Sequence, residues 1–220
     1  LNMNNELVNP KWEIRCSEKY KMGMGKTKWN IFCCAVYLFT EYSYDSISVR
    51  NITSEVGIKA ASLYSHFSSK EEILSMIYDY LELYSEELMP DTEYFLSLVD
   101  QLPPNEVIKR TFIIFPEEIK DIMAKAIIIA SKQMRQDERA DALIQKMFIN
   151  NPRDYMSKII IKMIEKDLIE PIDLESFLIV HSNYYYSALL RMFTEHSLDI
   201  SEWYKGLDFI FNLIRPVSLV

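Results

Sequence analysis

The hydrophobic positions of this chain recur at helical spacing almost from end to end. From residue 28, Phe32, Ala35, Val36 and Phe39 fall on one helical face, with Ile31 and Leu38 beside it. That run stops near Glu41-Tyr42-Ser43. Ser48 then precedes Val49, Ile52 and Val56, which marks a second helix with a serine cap. Gly57 closes this helix, since a left-handed residue there is cheap only for glycine. A third short helix is predicted over 58–67, with Ile58, Leu63 and Phe67 turned inward. Ser69-Lys70-Glu71-Glu72 reads as a capping box, in which Ser69 caps and Glu72 reaches back. A fourth helix follows, carrying Ile73, Leu74, Ile77, Leu81 and Tyr84. Beyond Pro90, the prolines at 104, 116, 152, 171 and 216 punctuate further helices near 105–114, 116–135, 137–150, 153–168, 172–195 and 200–215. No strand alternation and no repeat of fixed length is visible, so the fold class is all-α.

The pattern divides the chain into a loose arm or over-extended start at 1–25, a small helical head at 26–72, and a larger helical domain at 73–220. The helix from 70 to about 88 joins the last two. Composition narrows the class. With 220 residues, 49% hydrophobic and 25% charged, the chain can bury a substantial core. No apolar run reaches bilayer-spanning length, and the charged first 21 residues do not read as a secretory leader, so a cytoplasmic protein without membrane contact is expected. The three cysteines, Cys16, Cys33 and Cys34, are odd in number with two adjacent, which suits buried free thiols better than disulfides or a metal site.

The net charge of −8 is unevenly spread. Residues 1–70 hold nine Lys/Arg against six Asp/Glu, whereas 71–220 hold fifteen against twenty-six. A mildly basic head on an acidic body fits nucleic-acid contact at one end. Catalytic groupings are missing. Gly25-Lys26-Thr27 cannot form a phosphate loop, because Tyr20 stands where the first glycine is required. His181 and His196 are not paired at helical spacing, Glu195-His196 extends to no metalloprotease pattern, and Glu117-Glu118 suits a helix start. No enzyme activity, cofactor or metal is expected.

The informative segment is 48–67. A short helix, a glycine-centred turn and a second short helix form the helix-turn-helix pattern, in which one helix braces on the DNA backbone and the next enters the major groove. The outward side of the third helix offers Lys59, Ala60, Ala61, Ser62, Tyr64, Ser65 and His66, small or polar enough for close approach to base edges.

The runs Phe39-Thr40-Glu41-Tyr42-Ser43-Tyr44-Asp45-Ser46-Ile47-Ser48-Val49-Arg50-Asn51-Ile52 and Gly57-Ile58-Lys59-Ala60-Ala61-Ser62-Leu63-Tyr64-Ser65-His66-Phe67-Ser68-Ser69-Lys70-Glu71-Glu72-Ile73-Leu74 resemble the TetR family of transcriptional regulators. The likeness covers about 50 residues, from Trp29 to Tyr78. Three residues depart from it. Ser43 stands where the family has glycine, at a cost of about 1 kcal/mol if a left-handed backbone is kept. Thr53 replaces alanine at a helix crossing. Lys59 replaces a Ser/Thr cap worth roughly 0.5–2 kcal/mol.

The resemblance implies roles for particular residues. Ser48 and Lys70 would touch phosphates, Tyr64 a phosphate or thymine methyl, and His66 a phosphate. Arg50, Lys59, Ala60 and Ser62 would face bases. Each has a plainer alternative: Ser48 a simple cap, Tyr64 core, Lys70 a solvated charge, His66 packing. Leu63, Phe67, Ile52 and Tyr44 are assigned to the core. In the larger domain the resemblance implies a pocket for an unidentified small molecule, with Met123, Ile127, His181 and Tyr185 as candidate lining. It also implies a homodimer interface with Tyr184, Leu189, Met192, Trp203, Leu207, Phe211 and Ile214 as candidates, and Phe209 and Ile210 pointing elsewhere. Ordinary packing is the alternative for all of these. The expectation is a ligand-released repressor on a palindromic double-stranded DNA operator. A dimer acting without a ligand, and an all-helical lipid-binding protein or enzyme with a vestigial head, are the rival readings.

Overall fold

The computed structural model describes residues 11–14, 16–89, 91–111, 116–194 and 200–212, with the side chains of 189, 190, 192–194, 200, 202 and 203 outside the description. Eleven α-helices are present among them: α1 (Lys26–Tyr42), α2 (Val49–Val56), α3 (Ala60–Tyr64), α4 (Lys70–Leu88), α5 (Thr92–Val99), α6 (Pro104–Arg110), α7 (Glu117–Gln133), α8 (Glu138–Gln145), α9 (Asn151–Glu165), α10 (Leu174–Thr194) and α11 (Ile200–Asn212). Described residues form no strand. No helix among them is long and apolar enough to cross a membrane. The chain divides into two compact units, one within 1–83 and 116–133 and the other within 84–115 and 134–220. Glu195 and His196 lie outside the described residues.

In the first unit α1 is the central helix. Trp29, Ile31, Phe32, Cys33, Cys34, Ala35, Val36, Leu38 and Phe39 are all buried, well beyond a single stripe, because α2 and α7 both pack on it. A helix covered on several sides is apolar on several sides. Phe32 sits between Trp29 and Tyr80, at ring-centroid distances of 5.6 and 5.5 Å. The cysteines are free thiols. Burial pushes the Cys34 thiol up to about 12 and that of Cys33 higher still, so both remain protonated.

Residues 11–25 differ from the loose arm expected from sequence. Trp12, Tyr20 and Met24 are buried, a 3-10 turn spans Glu18–Tyr20, and the Ser17 hydroxyl donates to Glu118 of α7 at 3.2 Å. Scattered tryptophan, tyrosine and methionine bury well in irregular backbone, which leaves no periodic signal in the sequence.

Ser43 follows α1 at φ 75° and ψ 150°, a region that side-chain-bearing residues rarely occupy. Ser43 therefore holds a positive-φ conformation that glycine would adopt without strain. Ser43→Gly is expected to stabilise the chain by about 1 kcal/mol net of the entropy glycine adds to the unfolded state. A thermal melt checks this, and an unchanged or lowered midpoint would mean that Ser43 is unstrained.

The second unit holds α5, α6 and α8–α11. Helix α5 escapes the sequence pattern, being two turns long, although Asp91 caps it by accepting from the Tyr94 amide at 2.7 Å. The helix predicted to end at 150 does not break. A π-helical turn at Lys146–Asn150 carries α8 directly into α9. Pro152 has no amide to donate and its ring crowds the preceding turn, so the backbone widens, and the Asn151 amide reaches back five residues to the Lys146 carbonyl.

Candidate nucleic-acid interface

The turn between α2 and α3 is built by local chemistry. The Ser48 hydroxyl accepts from the Asn51 amide at 3.3 Å, and the Asn51 side-chain carbonyl accepts from the Ser48 amide at 2.9 Å. This is a reciprocal capping box with asparagine in the place usually held by Glu or Gln, a partner the sequence reading passed over. Gly57 ends α2 at φ 76° and ψ 34°, the left-handed cap expected of it. Thr53 is buried at the crossing and turns its hydroxyl back onto the Arg50 carbonyl at 3.1 Å, so the extra polar atom is satisfied within its own helix.

Helix α3 is anchored from beneath by Leu63 and, just past its end, Phe67, at 0% and 1% exposure. Ile52 on α2 is equally buried. Tyr44, assigned to the core from sequence, is half-buried, with its ring edge-on to Phe39 at 5.1 Å and its hydroxyl donating to Glu71 at 3.1 Å. The opposite side of the motif is open. Lys59, Ala60, Ala61 and Ser65 are exposed, Ser62 and His66 half-buried, and Tyr64 is 54% exposed, which removes the core reading of that tyrosine. Ser48 and Arg50 on α2 are exposed as well. Lys59 occupies the cap position of α3 with no side-chain hydrogen bond to the helix. The first amides of α3 therefore lack the side-chain cap a serine would provide, and a cation stands at the positive helix end.

A shallow cleft of about 430 Å³ opens where the first turns of α2 and α4 meet the end of α3, lined by Ser48, Val49, Tyr64, Ser68, Ser69 and Lys70 together with Asp45, Ser46, Ile47 and Glu71. Two helix N-termini in one cleft give a concentration of amide donors suited to an anion. Lys70 is neither free nor merely solvated. Its ammonium donates to the carbonyls of Tyr44 at 3.0 Å and Ile47 at 2.9 Å, and lies 3.9 Å from the centre of the Tyr44 ring. It ties the α1–α2 loop to α4. The capping of α4 also differs in detail. Ser69 accepts from the Glu72 amide at 3.2 Å, but the Glu72 carboxylate reaches one residue further back, to the amide and hydroxyl of Ser68. Those Ser68 bonds hold the Glu72 carboxyl below the usual carboxylate range.

The pocket candidates fall in both compact units. Met123 and Ile127 are fully buried in the first compact unit, whereas His181 and Tyr185 are buried in the second. Of the interface candidates, Leu207 and Phe211 are covered by the chain's own body, because α11 packs on α6 and α10 through that face. Ile210, read as pointing elsewhere, is buried with them, while Phe209 is 68% exposed. Tyr184 is half-buried with its ring over Gly206, where an added Cβ would meet the hydroxyl at 2.0 Å. Leu189, Met192, Trp203 and Ile214 lie outside the described side chains. Described residues contain no cluster of three or more His, Cys, Asp and Glu able to hold a metal.

Residues 34–77 match the family model of the bacterial regulatory proteins, tetR family. No curated protein sequence matches the chain. Solved structures with the same fold include the ketosteroid transcriptional regulator of Mycobacterium tuberculosis, 17% identical with a TM-score of 0.57, covering 87% of this chain and 96% of that one. A tetR-family bacterial regulatory protein from Rhodococcus RHA1 is 12% identical at 0.57, covering 89% and 100%. A TetR transcription regulator from Haloarcula marismortui is 13% identical at 0.57, covering 85% and 97%. Residues 34–77 thus resemble the DNA-binding head of the bacterial regulatory proteins, tetR family, and the helical fold of the whole chain is the one these solved regulators share.

Proposed function

We propose that the chain is a DNA-binding transcriptional regulator, a repressor that grips a palindromic operator as a homodimer and is released by a small molecule bound in its body. The observation that carries this reading is the two-sidedness of α3: Leu63 and Phe67 bury beneath it while Lys59, Ala60, Ser62 and Tyr64 stand out on a face with no large aliphatic side chain. Such a face fits the major groove. Arg50, Lys59, Ala60 and Ser62 address base edges. Ser48, Tyr64 and His66 hold phosphates, with the amide-rich cleft at the starts of α2 and α4 supporting the same contact. Lys70 acts by fixing the loop that carries Ser48. Two copies of this motif related by a two-fold axis read a two-fold sequence. Ile179 and Val180 on α10 and Phe209 on α11, each more than 40% exposed, supply apolar surface for pairing in place of Leu207 and Phe211. Ligand and operator then compete through one coupling energy, of order 1–3 kcal/mol in such systems.

Fluorescence anisotropy on the DNA upstream of the gene, across a salt series, tests this. Arg50→Ala is expected to weaken binding roughly tenfold to hundredfold and to relax sequence preference, as loss of a bidentate base contact does. Lys59→Met lowers the salt slope by about 1 if that ammonium neutralises a phosphate. Lys70→Met weakens binding with the slope unchanged, because its charge is committed to the Tyr44 and Ile47 carbonyls. Unaltered affinity in an Arg50→Ala, Tyr64→Ala double variant, or a chain that stays monomeric at working concentration, would refute the reading.

A further inference from the structure

Helix α10 carries Phe177, His181 and Tyr185 at four-residue intervals, one above another on a single face. Their rings are stacked, His181 lying 5.9 Å from Phe177 at 27° and 6.2 Å from Tyr185 at 19°. Stacked rings cover each other's faces and leave their edges, where the imidazole nitrogens lie, turned sideways. His181 is 1% exposed and neither Nδ1 nor Nε2 has a hydrogen-bond partner among the described residues. Other buried polar groups of this unit are satisfied locally: Thr111 donates to the Ile108 carbonyl and Ser182 to that of Leu178, each at 2.7 Å. An orphaned buried imidazole calls for an explanation, because native interiors rarely leave such groups unpaired.

Three observations bear on it. Tyr155 of α9 is buried, hydrogen-bonded to the Tyr185 side chain, and its hydroxyl reaches the Thr111 carbonyl only at 3.5 Å, a weak bond that a better partner displaces. Helix α10 packs against both α9 and the π-helical turn, and π turns inside α-helices are frequent at functional sites. No Asp, Glu, Lys or Arg is among the buried described residues, and burial pushes the His181 pKa down to about 4, so the imidazole is neutral.

We propose that His181, with Tyr155 and Tyr185, is the polar end of an effector site in the second unit, which takes an uncharged lipophilic molecule bearing one hydroxyl group. A neutral imidazole presents one N–H donor and one lone pair. A hydroxyl both donates and accepts, and so satisfies both kinds of group. A carboxylate entering the same place finds a neutral N–H but no cation, and an ammonium finds a lone pair but no carboxylate, so each carries an uncompensated charge into an apolar interior. The inference rests on the ligand-responsive reading above, whose operator-binding half is tested separately.

The experiment is direct calorimetric titration of the full chain, without DNA, with 2-naphthol, 4-heptylphenol and 1-decanol, each beside the carboxylate of the same skeleton. At least one hydroxyl compound is expected to bind ten times or more tightly than its carboxylate. It also moves the imidazole nitrogen resonances of His181 in the ¹⁵N spectrum. In His181→Phe that preference collapses at least tenfold while binding of plain naphthalene changes less than twofold. Should His181→Phe fail to fold, Tyr155→Phe and the wild-type ¹⁵N spectrum decide the matter. No binding by any hydroxyl compound, tighter binding of a carboxylate or of a naphthyl trimethylammonium ion, or unmoved His181 resonances overturns the proposal. Hydroxyl binding with no operator affinity would refute the regulator reading alone. Operator affinity with no hydroxyl binding would refute this proposal alone.

Discussion

Between pH 6.5 and pH 4 the second unit is expected to lose about 3 kcal/mol of stability through His181 alone. Burial depresses the folded-state pKa from 6.5 to about 4. The unfolded chain therefore binds a proton across this window that the folded chain refuses. Protonation favours unfolding, so the stabilisation is complete above the unfolded value and drains away as pH falls towards the folded one. A loss of this size is a large share of the roughly 5–15 kcal/mol by which domains are held together. Urea unfolding at half-unit pH steps measures it. The His181→Phe chain keeps the titration of its carboxylates but lacks this contribution, so the difference between the two curves isolates the histidine. Parallel curves would show that His181 is solvated or partnered in solution.

Truncation of Phe32 to alanine is expected to remove about 4 kcal/mol, within the range for deleting a buried phenyl ring. Phe32 is 0% exposed and contacts both Trp29 and Tyr80, which themselves approach to 6.4 Å. Rings that rest on a third ring cannot fill its space by a small rotamer change, so the void persists and neighbours lose dispersion contacts. Hydrogen exchange would show loss of protection in α1 and in α2, which packs upon it, and the proposed operator binding would vanish with the folded head. Phe32→Leu retains most of the volume and should cost far less. A loss below 1 kcal/mol for the alanine variant would mean that this cluster collapses around the gap.

The head was legible because its chemistry is local. A serine before Val49, a glycine after Val56 and apolar residues at helical spacing specify caps, turn and buried side together, within twenty consecutive residues. What escaped notice there depended on a partner far along the chain: Lys70 reaches carbonyls 23 and 26 positions earlier, and no motif reports a carbonyl. The second unit was less readable. Its helices are apolar on more than one side, so periodicity alone cannot tell the face that meets a neighbouring helix from the face that meets another subunit. Leu207 and Phe211 satisfy the spacing for either, and both are buried within the single chain, where α11 packs on α6 and α10. Of the four pocket candidates, Met123 and Ile127 belong to the first unit and His181 and Tyr185 to the second, because apolar and aromatic content says nothing about which unit a helix joins. Helix α7 follows the α4 to α6 stretch in sequence yet belongs to the unit of α1.

The π turn before Pro152 fixes the angular phase of everything after it. An α-helix advances about 100° per residue, so one extra residue taken up in a widened turn rotates the following side chains by that amount about the axis. Tyr155 lies three residues past the proline and owes its bearing towards Thr111 and Tyr185 to this offset. Shorten the segment by one residue to restore a uniform spiral, and the phenol would swing about a quarter-turn off its present bearing. The length of this helix and the placing of its tyrosine are thus a single inherited quantity, and neither can drift without the other.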